Sequence, residues 1–136
     1  MTLFICVDDA MGIGFNKRRQ SKDRVLRARM LAHAKGQNFF VSAYTAKQFE
    51  EGEMGYTVCE VPEETAEKGD FVFAEDRDIP LACVETLILY RWNRRYPADR
   101  YFSFDPSKEG FALVRTEEFV GSSHDNITEE VYEKVR

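Results

Sequence analysis

Leu3-Phe4-Ile5-Cys6-Val7-Asp8-Asp9-Ala10-Met11-Gly12-Ile13-Gly14-Phe15-Asn16 is the stretch whose reading decides the fold. Leu3 to Val7 is continuously apolar rather than alternating, the pattern of a strand covered on both faces. Asp8 and Asp9 end the run at once, and Gly12 and Gly14 give backbone freedom to a loop expected over residues 8–20. A run this short, with no basic region before it, is not a secretory signal. The expected setting is therefore a soluble, cytoplasmic domain.

Working outward, the next elements alternate helix and strand. Ser21 is placed as an N-cap and Asp23 in the first turn, where a carboxylate suits the helix dipole. Val25, Leu26, Ala28, Met30, Leu31 and Ala32 line one side of that helix, and Gly36 follows it. Asn38 to Ser42 reads as a second buried strand. Thr45-Ala46-Lys47-Gln48 reads as a capping box opening a short helix that stops at Gly52. Strands are expected over Tyr56–Val61, Asp70–Glu75 and Glu85–Trp92, with a short helix over Pro62–Lys68. Beyond Trp92 the pattern changes to turns and strands, Arg100–Phe104 and Phe111–Phe119. In the tail, Ile127, Val131 and Val135 fit both period 2 and period 4, and Asn126 with Glu129 favours a helix start. Strands alternating with helices, then an antiparallel end, define an α/β fold with a mixed sheet.

The 136 residues are 43% apolar, 32% charged and 13% aromatic, with a net charge of −5. That is one domain, spanning 1–136, with enough chain to bury a core and no apolar run of membrane-spanning length. Cys6, Cys59 and Cys83 are few, widely spaced and in apolar contexts, as expected of reduced, buried thiols. With only His33 and His124, and no metal-ligand spacing, no metal site is expected and a binuclear metallohydrolase is excluded. Charge is segregated. Seven cations fall between Lys17 and Arg29, and eleven acids between Glu50 and Asp78.

The opening stretch resembles the start of dihydrofolate reductases, where an apolar strand ends in Val-Asp and is followed by Gly-Ile-Gly and an Asn. The similarity continues in order. Phe39-Phe40-Val41-Ser42-Ala43-Tyr44-Thr45 stands at the family's second strand and its Met-Gly-Arg-x-Thr turn. Glu85 to Phe102 is similar to a late strand and the Gly-Asp-x-x-Phe after it, and Phe111-Ala112-Leu113-Val114 fits the next strand. The resemblance implies a three-layer α/β/α domain with a mainly parallel central sheet and antiparallel C-terminal strands. It also implies a pterin- or nucleotide-like small ligand. Three departures concern the cofactor: Lys17-Arg18-Arg19-Gln20 replaces Leu-Pro-Trp, Ala43 stands where an Arg holds the cofactor phosphate, and no Gly-Gly pair exists. NADPH is the cofactor the resemblance suggests, but its phosphate-binding motifs are missing. The implied protein is a small-ligand binder or a divergent NAD(P)H-dependent reductase without an intact NADPH site.

The same resemblance gives Asp23 the acid of the pteridine pocket, as the catalytic candidate, and places Val7, Asp8, Gly12, Ile13, Gly14, Asn16 and Thr45 around the ligand. Each also has a plainer role: Asp23 as a helix-terminal carboxylate, and Thr45 as the cap of its own helix. The cationic cluster supplies Arg18, Arg19 and Arg24 as anion-binding candidates, for an anionic small molecule, a nucleotide or a nucleic-acid backbone. Arg24, Arg27 and Arg29 are otherwise a solvated helix face. Tyr90 to Tyr96 mixes arginines with aromatics, read as a buried Trp92 whose neighbouring arginines meet the acidic 50–78 segment. His33 is read as a helix C-terminal dipole partner, and Gly121 to Asn126 as an ordinary polar turn. A homo-oligomer in which opposite charges meet is the remaining alternative.

Overall fold

The computed structural model describes residues 1–135 of the chain. β1 (Thr2–Val7) lies at the centre of a seven-stranded sheet, parallel to β6 (Phe71–Phe73) on one side and to β7 (Thr86–Arg91) on the other. β4 (Phe39–Val41) and β5 (Thr57–Val58) extend it in parallel beyond β6. β10 (Ile127–Lys134) and β9 (Phe111–Phe119) close the other side in antiparallel, giving the order β5-β4-β6-β1-β7-β10-β9. The expected α/β class with a mainly parallel sheet and antiparallel C-terminal strands is what the chain adopts.

Alternation along β1 divides the core in two, because successive side chains leave a strand on opposite faces. Phe4 points to the face covered by α1 (Arg24–His33), where Leu26, Met30, Phe39, Tyr90 and Trp92 gather around it. Leu3, Ile5 and Val7 point to the other face, onto Leu87, Leu89, Val84 and Phe111. Among the described residues only α1 is longer than one turn; α2 (Ala43–Ala46), α3 (Pro62–Thr65) and α4 (Pro106–Glu109) have four residues each. The second face is therefore covered by short pieces, including the 3-10 turn Leu81–Cys83 and the half-buried Phe102 and Phe104.

Three local expectations are corrected. Residues 8–20 are not all loop: β2 (Gly12–Phe15) and β3 (Arg18–Arg19) form a hairpin, and β2 also pairs with β8 (Arg100–Tyr101) in a second, three-stranded sheet. The hairpin tip holds Asn16 and Lys17 at φ of 53° and 61°, the left-handed pair that a tight two-residue hairpin turn requires. The caps also move. Asp23, not Ser21, caps α1, its carboxylate accepting the Leu26 N–H at 3.1 Å. Ser42, not Thr45, caps α2. The tail is strand β10 rather than helix, because Ile127, Glu129 and Val131 alternate into the α1 face and pair with both β7 and β9.

The thiols are less enclosed than expected: Cys6 and Cys59 are half-buried and Cys83 is exposed. The opposed charge segments meet within the chain itself. Arg27, 1% exposed, is bound through its guanidinium to Glu53, and Arg19 reaches Glu75. The expectation of a solvated Arg27 fails for that reason. Arg29 likewise reaches Glu117 and Glu129.

Candidate ligand cleft and the Asp23 cluster

A cleft of about 500 Å³ opens where the hairpin crosses the carboxyl ends of the parallel strands. Its hairpin wall is Gly14, Phe15, Lys17 and Arg18, continued by Asp99 and Arg100 from the approach to β8 and from β8 itself. Its floor is Glu75 and Asp76, immediately after β6, and Tyr44 of α2, after β4. Loops at the carboxyl ends of parallel strands diverge where successive crossovers go to opposite sides, and this makes the crevice. Here β4 lies on one side of β1 and β7 on the other.

Glu75 organises the floor. Its carboxylate is bound by the Arg19 guanidinium at 3.0 and 3.1 Å and by the Gln48 amide at 2.8 Å. Arg19 also donates to the Tyr44 carbonyl and lies 4.6 Å above the Tyr44 ring. Burial pushes the Glu75 pKa up, with Arg19 pulling the other way. Thr45 is fully buried beside Glu75, and its hydroxyl makes no well-formed hydrogen bond among the described residues. Lys17 and Arg18 are exposed and have no carboxylate within 4 Å among the described residues. The cleft thus has free cations along one wall, carboxylates on its floor, and the Phe15 and Tyr44 rings between them.

A second hollow, about 420 Å³, shares Tyr44 and Asp76 with the first and lies over the ends of β4 and β5. Glu60 and Asp76 line it, and its one cation, Arg77, is bound to Glu63 and the Glu60 carbonyl. Two carboxylates and a committed arginine do not fit the phosphates of a dinucleotide.

The candidate residues divide between several places. Gly14 and Arg18 line the cleft; Asn16 lies at the hairpin tip, its N–H held by Asp99 at 3.0 Å. Val7 is wholly buried in the core, and Ile13 is 8% exposed beside a hole of about 10 Å³. Asp8, 1% exposed, accepts from the N–H groups of Gly12, Ala10 and Tyr96 and from Gln20. Burial opposes its ionisation, but these donors outweigh it and hold the pKa below the usual carboxylate range. Gly12 is required where it is, because a Cβ would come within 2.6 Å of Ala98 Cβ. Arg19 is committed to Glu75, and Arg24 is exposed on α1 with its N–H on Ser122 Oγ.

Asp23 lies away from the cleft, 1% exposed. Besides capping α1 it accepts the Ser122 and Ser123 N–H groups at 3.0 and 2.8 Å, the Ser123 hydroxyl, and His124 Nδ1 at 3.1 Å. Burial opposes ionisation, yet these donors keep its pKa far below the usual range. The polar turn Gly121 to Asn126 is therefore a second clamp on α1. His124 is buried, and its ring stacks on Trp92 at 4.4 Å. No sequence pattern joins residues a hundred positions apart, and the one local signal was a histidine among small polar residues.

No protein-family model matches the sequence, and no curated protein does. Among solved structures, a dihydrofolate reductase from Enterococcus faecalis, complexed with NADP(H) and RAB-propyl, superposes with a TM-score of 0.65. The match covers 97% of this chain and 94% of that one, at 11% identity. The fold is that of a dihydrofolate reductase. On this dihydrofolate-reductase-like scaffold the described residues include no cluster of three or more His, Cys, Asp or Glu placed to hold a metal ion. They also include no helix long and apolar enough to cross a membrane.

Proposed function

We propose that this chain binds a small, planar, anionic ligand of pterin or nucleotide size in the cleft between the hairpin and the strand ends. The observation that carries this is the cleft itself: about 500 Å³ with Phe15 and Tyr44 in its walls and unpaired Lys17 and Arg18 along one side. Pockets for small ligands combine that volume with aromatic walls and a few placed charges. Arg18 and Lys17 attract the anionic group, the two rings flank the plane, and Asp76 and Asp99 accept hydrogen bonds from amino or hydroxyl groups. The E. faecalis reductase of the same fold was solved with NADP(H), so nucleotides are the first class to test. The acidic second hollow argues against a whole dinucleotide and for a mononucleotide or a pterin. No hydride-transfer step is assigned to this chain.

The test is a calorimetric titration with adenosine monophosphate, pterin-6-carboxylate and NADPH, at low and high salt. The expected result is saturable binding of at least one of the first two that persists at high salt and weakens in Arg18→Ala. Tight NADPH binding would restore the reductase reading. Binding lost entirely at high salt would point instead to a nucleic-acid backbone on the exposed Lys17, Arg18, Lys22, Arg24, Arg94 and Arg95, because counterion release makes such binding steeply salt-dependent.

A further inference from the structure

Asp23, His124 and Ser21, two of them neighbours at the start of α1 and one a hundred residues away, stand in the order carboxylate, imidazole, hydroxyl. Asp23 Oδ2 is 3.1 Å from His124 Nδ1, and His124 Nε2 is 3.1 Å from Ser21 Oγ. Four donors other than His124 hold Asp23 as an ionised, acceptor-only group, so Nδ1 facing it carries the hydrogen. With the hydrogen on Nδ1, Nε2 is the ring nitrogen whose lone pair faces Ser21, and also Tyr96 Oη at 3.0 Å. Trp92 against the ring face and the Ser123 hydroxyl at Nδ1 complete its surroundings. A hydroxyl, a base within hydrogen-bond reach, and a third group fixing the base's tautomer are the requirements for an activated serine, on whatever fold they occur.

From this geometry we propose that Ser21 is the nucleophile of an esterase-type site, with His124 as general base and Asp23 as its positioning residue. Ser21 Oγ adds to the carbonyl carbon of an ester while its proton passes to Nε2. The tetrahedral adduct collapses with that proton going to the departing alkoxide, leaving Ser21 acylated. Water, deprotonated by the same Nε2, then releases the carboxylic acid and restores the serine. The N–H groups of Ser21 and Lys22 have no acceptor among the described residues and are the donors available to the oxyanion. The hole beside Ser21, also lined by Cys6, Ile13 and Trp92, is only about 10 Å³. That admits about one water or a methyl group, so the acyl chain is short, of acetyl size.

The proposal does not depend on ligand binding in the large cleft, and its test reads Ser21 directly. The full chain is treated with a small fluorophosphonate and the modified residue located by peptide mass spectrometry; p-nitrophenyl acetate hydrolysis is followed in parallel. Phosphonylation of Ser21 with loss of fluoride is expected. Ser21→Ala keeps Tyr96 as the partner of Nε2, so it should fold, and both reactions should fall about 10²-fold or more. His124→Gln, checked for native circular dichroism, should slow labelling similarly. An unlabelled protein, labelling elsewhere, or turnover unchanged in Ser21→Ala would overturn the proposal.

Discussion

At Asp23 one carboxylate ends a helix, anchors a loop a hundred residues away and orients a buried histidine. Replacing it with Ala removes the cap, worth about 1 kcal/mol, and leaves buried donors unpaired at about 1–3 kcal/mol each. Asp23→Ala should therefore lose about 3 kcal/mol or more in urea unfolding, several times the loss of an ordinary cap. Gly121 lies directly against the same carboxylate, where an added Cβ would press on Asp23 Oδ2 and come within 2.9 Å of Ile127 Cδ1. Gly121→Ala should cost about 1–3 kcal/mol by overpacking, read in the same experiment. Asp23 was legible from sequence as a helix-terminal acid because capping is local. Its partners were not, because Ser122, Ser123 and His124 reach it only through the tertiary fold.

Among the elements, the junction of α1 with β10 and β9 depends on a buried charge. Glu129, 1% exposed, accepts from Tyr90 Oη at 2.8 Å, from His33 at 2.9 Å and from Arg29 at 3.0 Å. Burial opposes its ionisation, but His33, Arg29 and Tyr90 outweigh it and draw the pKa from 4.5 to about 2. A carboxylate depressed in this way contributes stability that is complete above the unfolded value and lost as pH falls from about 5 towards 2. The contribution is on the order of 3 kcal/mol, so acid unfolding should be steep in that window. Glu129→Gln, already uncharged, should flatten the dependence without abolishing it, since stability held by the Asp23 carboxylate also starts to be lost as pH falls below its unfolded value. This buried acid is also why the tail resisted reading. With Glu129 counted as polar, Ile127 and Val131 fit a helix as well as a strand, and only its buried partners reveal period 2. β1 had no such ambiguity, and Phe4, wholly buried 5.5 Å from both Phe39 and Phe71, marks its importance. Phe4→Ala should cost about 3–5 kcal/mol.

For the whole molecule, the α/β class with a mainly parallel sheet was legible because buried parallel strands write continuous apolar runs with helices between them. The cleft was legible only in part. Gly14 and Arg18 were expected near a ligand, but Tyr44, Glu75, Asp76 and Asp99 were not, because carboxylates following strands look like ordinary turn residues until the sheet brings its carboxyl ends together. The basic and acidic segments meet in part within the chain: Arg19 with Glu75 and Arg27 with Glu53. Of the cations without an ion pair among the described residues, Lys17 and Arg18 on the hairpin face the cleft. The most direct test of the small-ligand reading is an amide-resolved NMR titration of the folded chain with adenosine monophosphate and pterin-6-carboxylate at high salt. Saturable shifts confined to the cleft lining, Gly14, Phe15, Lys17, Arg18, Tyr44, Asp76 and Asp99, are expected. Spectra unchanged at millimolar ligand, or shifts that avoid these residues, would contradict that reading.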